Sequence, residues 1–210
     1  MGCLGKGPLH LLDDIRGFED YLIDLMTAPE RVEALLEGIF DFLKGIVEQY
    51  IKYKADAVYV IDDQAIQTGP LFSMDLWRKY IKPRYKSLFG PAREAGVMVY
   101  MHTCGDISQH IPELYECGVN IIDNKQPELW MFSEQALGMK GKISYSSCID
   151  IQTKIYETPL EKIEEETNRL VRALSLPEGG FLGTCYHGTD LNIPVEKKKK
   201  MIESFINFKW

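Results

Sequence analysis

Residues 57–63 read AVYVIDD, and this short stretch decides the fold class. A strand with one solvated face alternates apolar and polar residues. A run that is apolar at every position and closes on two acids reads instead as a strand covered on both faces, as in a parallel sheet between helices. The segment before it agrees. Thr27-Ala28-Pro29-Glu30 has capping-box spacing, with Thr27 as N-cap and Glu30 reaching back. Val32, Leu35, Leu36, Ile39, Phe40, Leu43, Ile46, Val47, Tyr50 and Ile51 then follow a 3-4-3-4 stripe, which predicts one amphipathic helix over 27–54.

The alternation continues outward from that pair. A helical stretch over 73–95, interrupted near Pro83 and Pro91, leads into VMVYMHTCG at 97–105. A short helix ending at Gly118 precedes VNIID at 119–123, and another near 133–139 precedes KISYSSCID at 142–150. Thr158-Pro159-Leu160-Glu161 reads as a second capping box opening a helix to Leu174, followed by GFLGTCYHG at 180–188 and a last helix from Pro194. Strands alternating with single helices mean a parallel α/β architecture in one domain over 1–210. A Gly-rich dinucleotide loop is missing, so a (β/α) barrel is expected rather than a Rossmann domain. Such a barrel has eight strands in about 250 residues. Five strands are legible here, so the expectation is an incomplete barrel of about five βα units, either part of a longer chain or an open sheet.

Composition narrows the function. The 24 Lys and Arg against 31 Asp and Glu give a net charge of −7, which argues against bulk nucleic-acid binding. No apolar run reaches the roughly 18 residues of a membrane span. The opening MGCLGKGPLHLLDD lacks a secretory apolar stretch, and Lys6 stands where myristoylation wants Ser or Thr. Five scattered cysteines (Cys3, Cys104, Cys117, Cys148, Cys185) read as reduced thiols of a cytoplasmic protein.

In a (β/α) barrel the chemistry lies at the C-terminal ends of the strands. Those positions hold Asp62, Asp63, His102, Cys104, Asp123, Asn124, Gln126, Cys148, Asp150, Cys185 and His187. The sharpest group is His102-Thr103-Cys104-Gly105: residues two apart on a strand share a face, so imidazole and thiol converge. Cys185 ends a strand three places further round, nearly opposite in a barrel, and Cys148 competes with it as third ligand. One His and two Cys suit zinc, and three protein ligands leave the fourth position open for catalysis. Asp62 and Asp63 either orient a substrate or support the His102 imidazole, or they cap a helix. His187 reads as a loop histidine, Lys197 to Lys200 as a solvated helix face, and Arg78, Lys79, Lys82, Arg84 and Lys86 as an exposed basic face that an anionic cofactor would otherwise use.

Several motifs in order resemble one family. RGFEDYLIDLMTAPERV, VIDDQAIQTGPLFSMDLWRKYIKPRYK, MHTCGDI, KQPE, SSCIDIQ and GTCYHGTDLNIPVEK are similar to the uroporphyrinogen decarboxylase superfamily, and within it to the cobamide-dependent methyltransferase branch that acts on thiols such as coenzyme M. The resemblance implies an eight-stranded barrel, zinc on His102, Cys104 and Cys185, and a pocket that includes Asp63, Gln67, Gln126 and Asp150. The chain departs from the family at Ala65, where a glycine is usual, at Ser147-Cys148, and by about one extra residue after Cys185. The family's N-terminal portion, with its first strands and part of its pocket, is not in this sequence.

The implied reaction follows from thiol chemistry. A free thiol of pKa near 8.5 is only about 3% thiolate at neutral pH, and zinc deprotonates a coordinated thiol outright. The resemblance implies transfer of a methyl group from a methylated corrinoid, carried on a separate corrinoid protein, to a small thiol. A metal-free tetrapyrrole decarboxylase is the rival enzyme, and a truncated paralogue that only binds a partner is the third reading. Uncovered sheet edges also predict self-association, a homo-oligomer being the simplest form.

Overall fold

The AVYVI run becomes the second of six parallel strands. The computed structural model describes residues 1–189 and 191–210; residue 190, inside the GTCYHGTDLN stretch, lies outside the described residues. β1 (Gly2–Lys6) pairs with β2 (Ala57–Ile61), and the sheet runs on through β5 (Met98–His102), β6 (Ile121–Asp123), β7 (Ser144–Ser147) and β8 (Phe181–Gly183), every neighbour parallel. A two-residue hairpin, β3 (Ala65–Ile66) with β4 (Gly69–Pro70), stands apart. The α/β architecture expected from the sequence is therefore present, with six strands rather than five. Among the described residues no ladder joins β1 to β8, so the barrel-type sheet stays open.

Each face of the strands has its own role. Val58, Val60, Val99, Met101, Ile122 and Tyr145 are fully buried beneath the helices. Tyr59, Ile61, Tyr100 and His102 alternate with them onto the concave face, where they are only partly covered. α3 (Pro29–Lys52) lays Val32, Leu36, Ile39, Phe40, Leu43 and Val47 against the core, as its stripe predicted. Each such side chain, fully buried, contributes about 1.5–3 kcal/mol.

The structure corrects four boundaries. β1 has no counterpart among the expected strands, because GCLGK is glycine-rich and too short to show a pattern; its pairing with the apolar β2 makes it a strand. Thr27 is not an N-cap: it is the last residue of α2 (Phe18–Thr27), its hydroxyl donates to the Ile23 carbonyl, and Ala28 caps α3. Thr158 likewise caps nothing with its side chain; a 3-10 turn at Leu160–Lys162 leads into α9 (Ile163–Leu174). The strand expected over 180–188 stops at Gly183, so Cys185 lies in the loop beyond it.

The remaining helices place the loops of the site. α1 (Pro8–Arg16) follows β1, and its N-terminal amides point at the buried Asp62, whose carboxylate accepts from Leu9 and His10 N–H at 3.2 and 2.9 Å. Gly7 permits that approach, since a Cβ there would sit 2.3 Å from Asp62 Cβ. The 73–95 stretch divides into α4 (Met74–Leu76), a π-helical turn at Trp77–Ile81 and α5 (Lys82–Glu94), with Pro83 in the first turn of α5. Trp77 Nε1 donates to Gln64 Oε1 at 2.9 Å, and Gln64 N–H donates to the Thr103 hydroxyl at 3.0 Å. These bonds fix the loop after β2 against the loop after β5.

Candidate metal centre

Register alone brings the central residues together. Ile61, His102, Asp123 and Ser146 are consecutive partners across β2, β5, β6 and β7, so they form one layer at the C-terminal end of the sheet. Within it His102 Nδ1 lies 2.6 Å from Asp123 Oδ2, while Ser146 donates to Asp123 Oδ1 at 2.7 Å and Lys125 Nζ donates to the same oxygen. The carboxylate fixes the proton on Nδ1 and leaves the Nε2 lone pair free, the arrangement that metal-binding histidines use. Burial opposes ionisation of Asp123, but His102 and Lys125 hold its pKa below the usual aspartate value.

Cys104 completes the pair predicted from HxC spacing. Its Sγ lies 3.6 Å from His102 Nε2. A tetrahedral zinc with N and S ligands at about 2.05 and 2.3 Å separates those two atoms by about 3.6 Å. The same spacing suits a thiol-to-imidazole hydrogen bond, so a third donor matters. Asp63 supplies it: ligand atoms of Asp63, His102 and Cys104 all lie within 4.8 Å of one another. Asp63 Oδ1 accepts from Cys104 N–H at 2.7 Å, and Oδ2 faces His10 Nε2 at 3.4 Å. Burial raises the Asp63 pKa, yet these partners outweigh it and hold the group below the ordinary value. The Cys104 thiol is pushed up to about 12 by burial and then by the Asp63 charge. A divalent cation among these donors reverses that effect, because it favours the thiolate directly.

The turn after the strand is built for this position. Gly105 has φ of 81°, and a Cβ there would meet the Ala65 carbonyl oxygen at 2.5 Å. Gln126 Oε1 accepts from Gly105 N–H at 2.6 Å, and Asn124 Nδ2 donates to the Gly105 carbonyl at 3.1 Å. Gln126, expected in the pocket, is thus a buried clamp on the Cys104–Gly105 turn.

The other expected residues lie as follows. Cys185 is half-buried beyond β8, packed against a small apolar cluster that includes Cys148, Ile149 and Met201. Among the described residues its sulfur does not come within 4.8 Å of both the His102 and Cys104 donors. Cys148, the rival third ligand, is fully buried in that cluster. Asp150 Oδ1 accepts from the backbone of Gln152 and Thr153, both at 2.9 Å. Gln67 is exposed beside the hairpin turn, and His187 is exposed in the loop after β8. Of the readings of Asp62 (orienting a substrate, supporting the imidazole or capping a helix), the cap is the one its contacts match; burial raises its pKa to about 6, and the partner of the imidazole is Asp123.

Four of the five cations at 78–86 are paired with helix acids: Arg78 and Lys82 bind Glu113, Lys82 and Lys86 face Glu116, and Arg84 meets Glu37, while the Lys79 ammonium lies over the Tyr80 ring. Lys197 is not simply solvated, since it donates to the Ile155 and Tyr156 carbonyls at 2.8 and 2.9 Å. Three residues of the site were not singled out for their roles from the sequence, although Asp123 stood among the strand-end acids and Lys125 within the KQPE motif. His10 and Lys125 stand on loops or helix starts, and Asp123 was one acid among several until register placed it beside His102. A cleft of about 260 Å³ adjoins the trio on its His10 side, walled by Leu9, Phe18, Tyr21, Ile66 and Leu71.

Comparison with known proteins agrees with the barrel-type α/β fold. The chain is 24% identical over 184 residues to a methylated-thiol–coenzyme M methyltransferase of Methanosarcina mazei, covering 88% of this chain and 48% of that protein. It is 28% identical over 120 residues to the methylcobamide:CoM methyltransferase MtbA of Methanosarcina acetivorans, covering 57% of this chain and 34% of that protein. Thus it spans less than half the length of these relatives. A solved methyltransferase from Methanosarcina mazei shares the fold with a TM-score of 0.68 at 14% identity, over 96% of this chain and 57% of that one. Residues 3–208 match the family described as uroporphyrinogen decarboxylase (URO-D), and the chain belongs to that family.

Proposed function

We propose that this chain is the metal-binding part of a zinc-dependent methyltransferase that moves a methyl group from a methylated corrinoid, borne on a separate protein, to a small thiol. The observation that carries the proposal is His102 held by Asp123 with Nε2 turned toward Cys104 Sγ at 3.6 Å. In this reading His102 and Cys104 bind the ion with Asp63 within reach of the same position, and Cys185, whose sulfur lies apart from that trio in the loop beyond β8, is the third protein ligand of the working site. Zinc, when bound, supplies the charge that keeps an acceptor thiol deprotonated at neutral pH.

The chain's own groups do the rest. Asp123 orients His102 and keeps its donor lone pair available. Gln126 and Asn124 hold the Gly105 turn, and hence Cys104, in place. Asp63 and His10 line the passage between the metal trio and the apolar cleft, where the body of the thiol is accommodated and water excluded. Asp150 and Gln67 belong to the wider pocket of the completed protein. A tetrapyrrole decarboxylase would need basic side chains turned toward carboxylates, whereas four of the five 78–86 cations are paired with helix acids.

Metal analysis of the purified chain tests the proposal: one zinc per chain is expected, with tight binding lost on Cys104→Ala or Cys185→Ala. Full zinc retention in both variants overturns the assignment.

A further inference from the structure

We propose that Lys125 is a positioning residue that holds the Cys185 loop to the metal centre, so that the second thiolate reaches the ion through a lysine tether. The inference rests on the zinc reading above and deepens it.

Lys125 lies two residues past the end of β6, and its side chain is 13% exposed. Its ammonium donates to Asp123 Oδ1 and to the Thr184 hydroxyl, 59 residues away in sequence. Asp123 uses its other oxygen for His102. Thr184 is the residue before Cys185, and its backbone N–H donates to the Ser147 carbonyl at 2.9 Å. One ammonium therefore joins the group that orients the histidine ligand to the residue that carries the cysteine ligand. β8 has ended at Gly183, so ladder bonds no longer fix the chain there. The anchors at Thr184, one to β7 and one to Lys125, set where Cys185 begins.

A lysine that merely neutralised the buried Asp123 would need no second partner on another strand's loop. An aliphatic side chain of similar length would keep the packing and lose both bonds. Thr184→Val keeps the Lys125–Asp123 pair and removes only the tether.

Cobalt(II)-substituted protein reads the number of thiolate ligands through the intensity of its sulfur-to-cobalt charge-transfer band, independently of activity. The wild type should show a two-thiolate band. Lys125→Met and Thr184→Val should each fall to about half that intensity, matching Cys185→Ala, with zinc affinity at least about tenfold weaker. Thr184→Val retains the buried ion pair, so it answers the question even where Lys125→Met does not fold. A two-thiolate band in a folded Thr184→Val protein overturns the tether. A one-thiolate band in the wild type removes Cys185 from the site and the inference with it, leaving zinc on His102, Cys104 and Asp63. Failure of the wild type to bind cobalt or zinc at all overturns both readings.

Discussion

Replacing Asp123 by Asn tests the reading of His102 most directly, because it changes no volume and only one charge. The carboxylate accepts three bonds: from His102 Nδ1, from Ser146 Oγ and from Lys125 Nζ. An amide has one accepting oxygen and one donating nitrogen, so it cannot serve all three. With its nitrogen toward Lys125, two donors face each other in a buried place. With its nitrogen toward His102, the imidazole must move its proton to Nε2, which takes the lone pair away from the metal. Either outcome costs about 10–100-fold in zinc affinity, or about 1.4–2.7 kcal/mol. Competition against a chromophoric chelator at neutral pH measures this, with thermal melts confirming that the variant is folded. Wild-type zinc affinity in a cooperatively folding Asp123→Asn protein would refute the argument, since His102 would then not depend on Asp123 for its orientation.

Other outcomes follow from the same geometry. Gly105→Ala places a Cβ against the Ala65 and Ile66 carbonyls at a φ of 81°, and should cost more than about 2 kcal/mol in urea unfolding while weakening zinc binding; an unchanged midpoint would contradict the close approach. Asp63 and Asp123 have lowered pKa values, so their stabilisation is present above the usual aspartate value near 3.8 and is lost as the pH falls through the lowered ones. A double Asn variant should therefore lose less stability than the wild type between about pH 4 and pH 2. The open edges at β1 and β8 predict association of the isolated chain in light scattering; a sharp monomer with cooperative unfolding would mean that the edges are covered.

The parts of this molecule legible in the sequence were those whose signal is local. AVYVI announced a buried strand, and the stripe from Val32 to Ile51 announced its helix, because periodicity needs only neighbouring residues. His102 and Cys104 were legible for the same reason: extended chain repeats every second residue. Partners from other strands were not. Asp123 meets His102 through register, a property of two strands at once, and the acids chosen from sequence, Asp62 and Asp63, turned out to cap α1 and to join the trio itself. Gln126 carried a family motif but not its own contact, the Gly105 amide. Thr27 shows the limit of local motifs: the capping-box spacing was correct, yet the preceding helix ran on and absorbed the threonine.

The open sheet gives the metal centre an unusual dependence. Asp63, His102, Cys104 and Asp123 all come from β2, β5 and β6 or the loops just after them, so their spacing is a local matter of adjacent strands. Cys185 follows β8, three strand intervals from β5, which is about 14 Å along a flat sheet. Only the curl of the sheet shortens that span. With the proposed ligands, the number of thiolates on the ion would be a caliper of curvature: a flat sheet would hold the metal on one side, and a curled one would close on it from both. By linkage, an ion that gains a ligand on curling must itself favour the curled form, so metal supply and barrel geometry are two readings of one equilibrium.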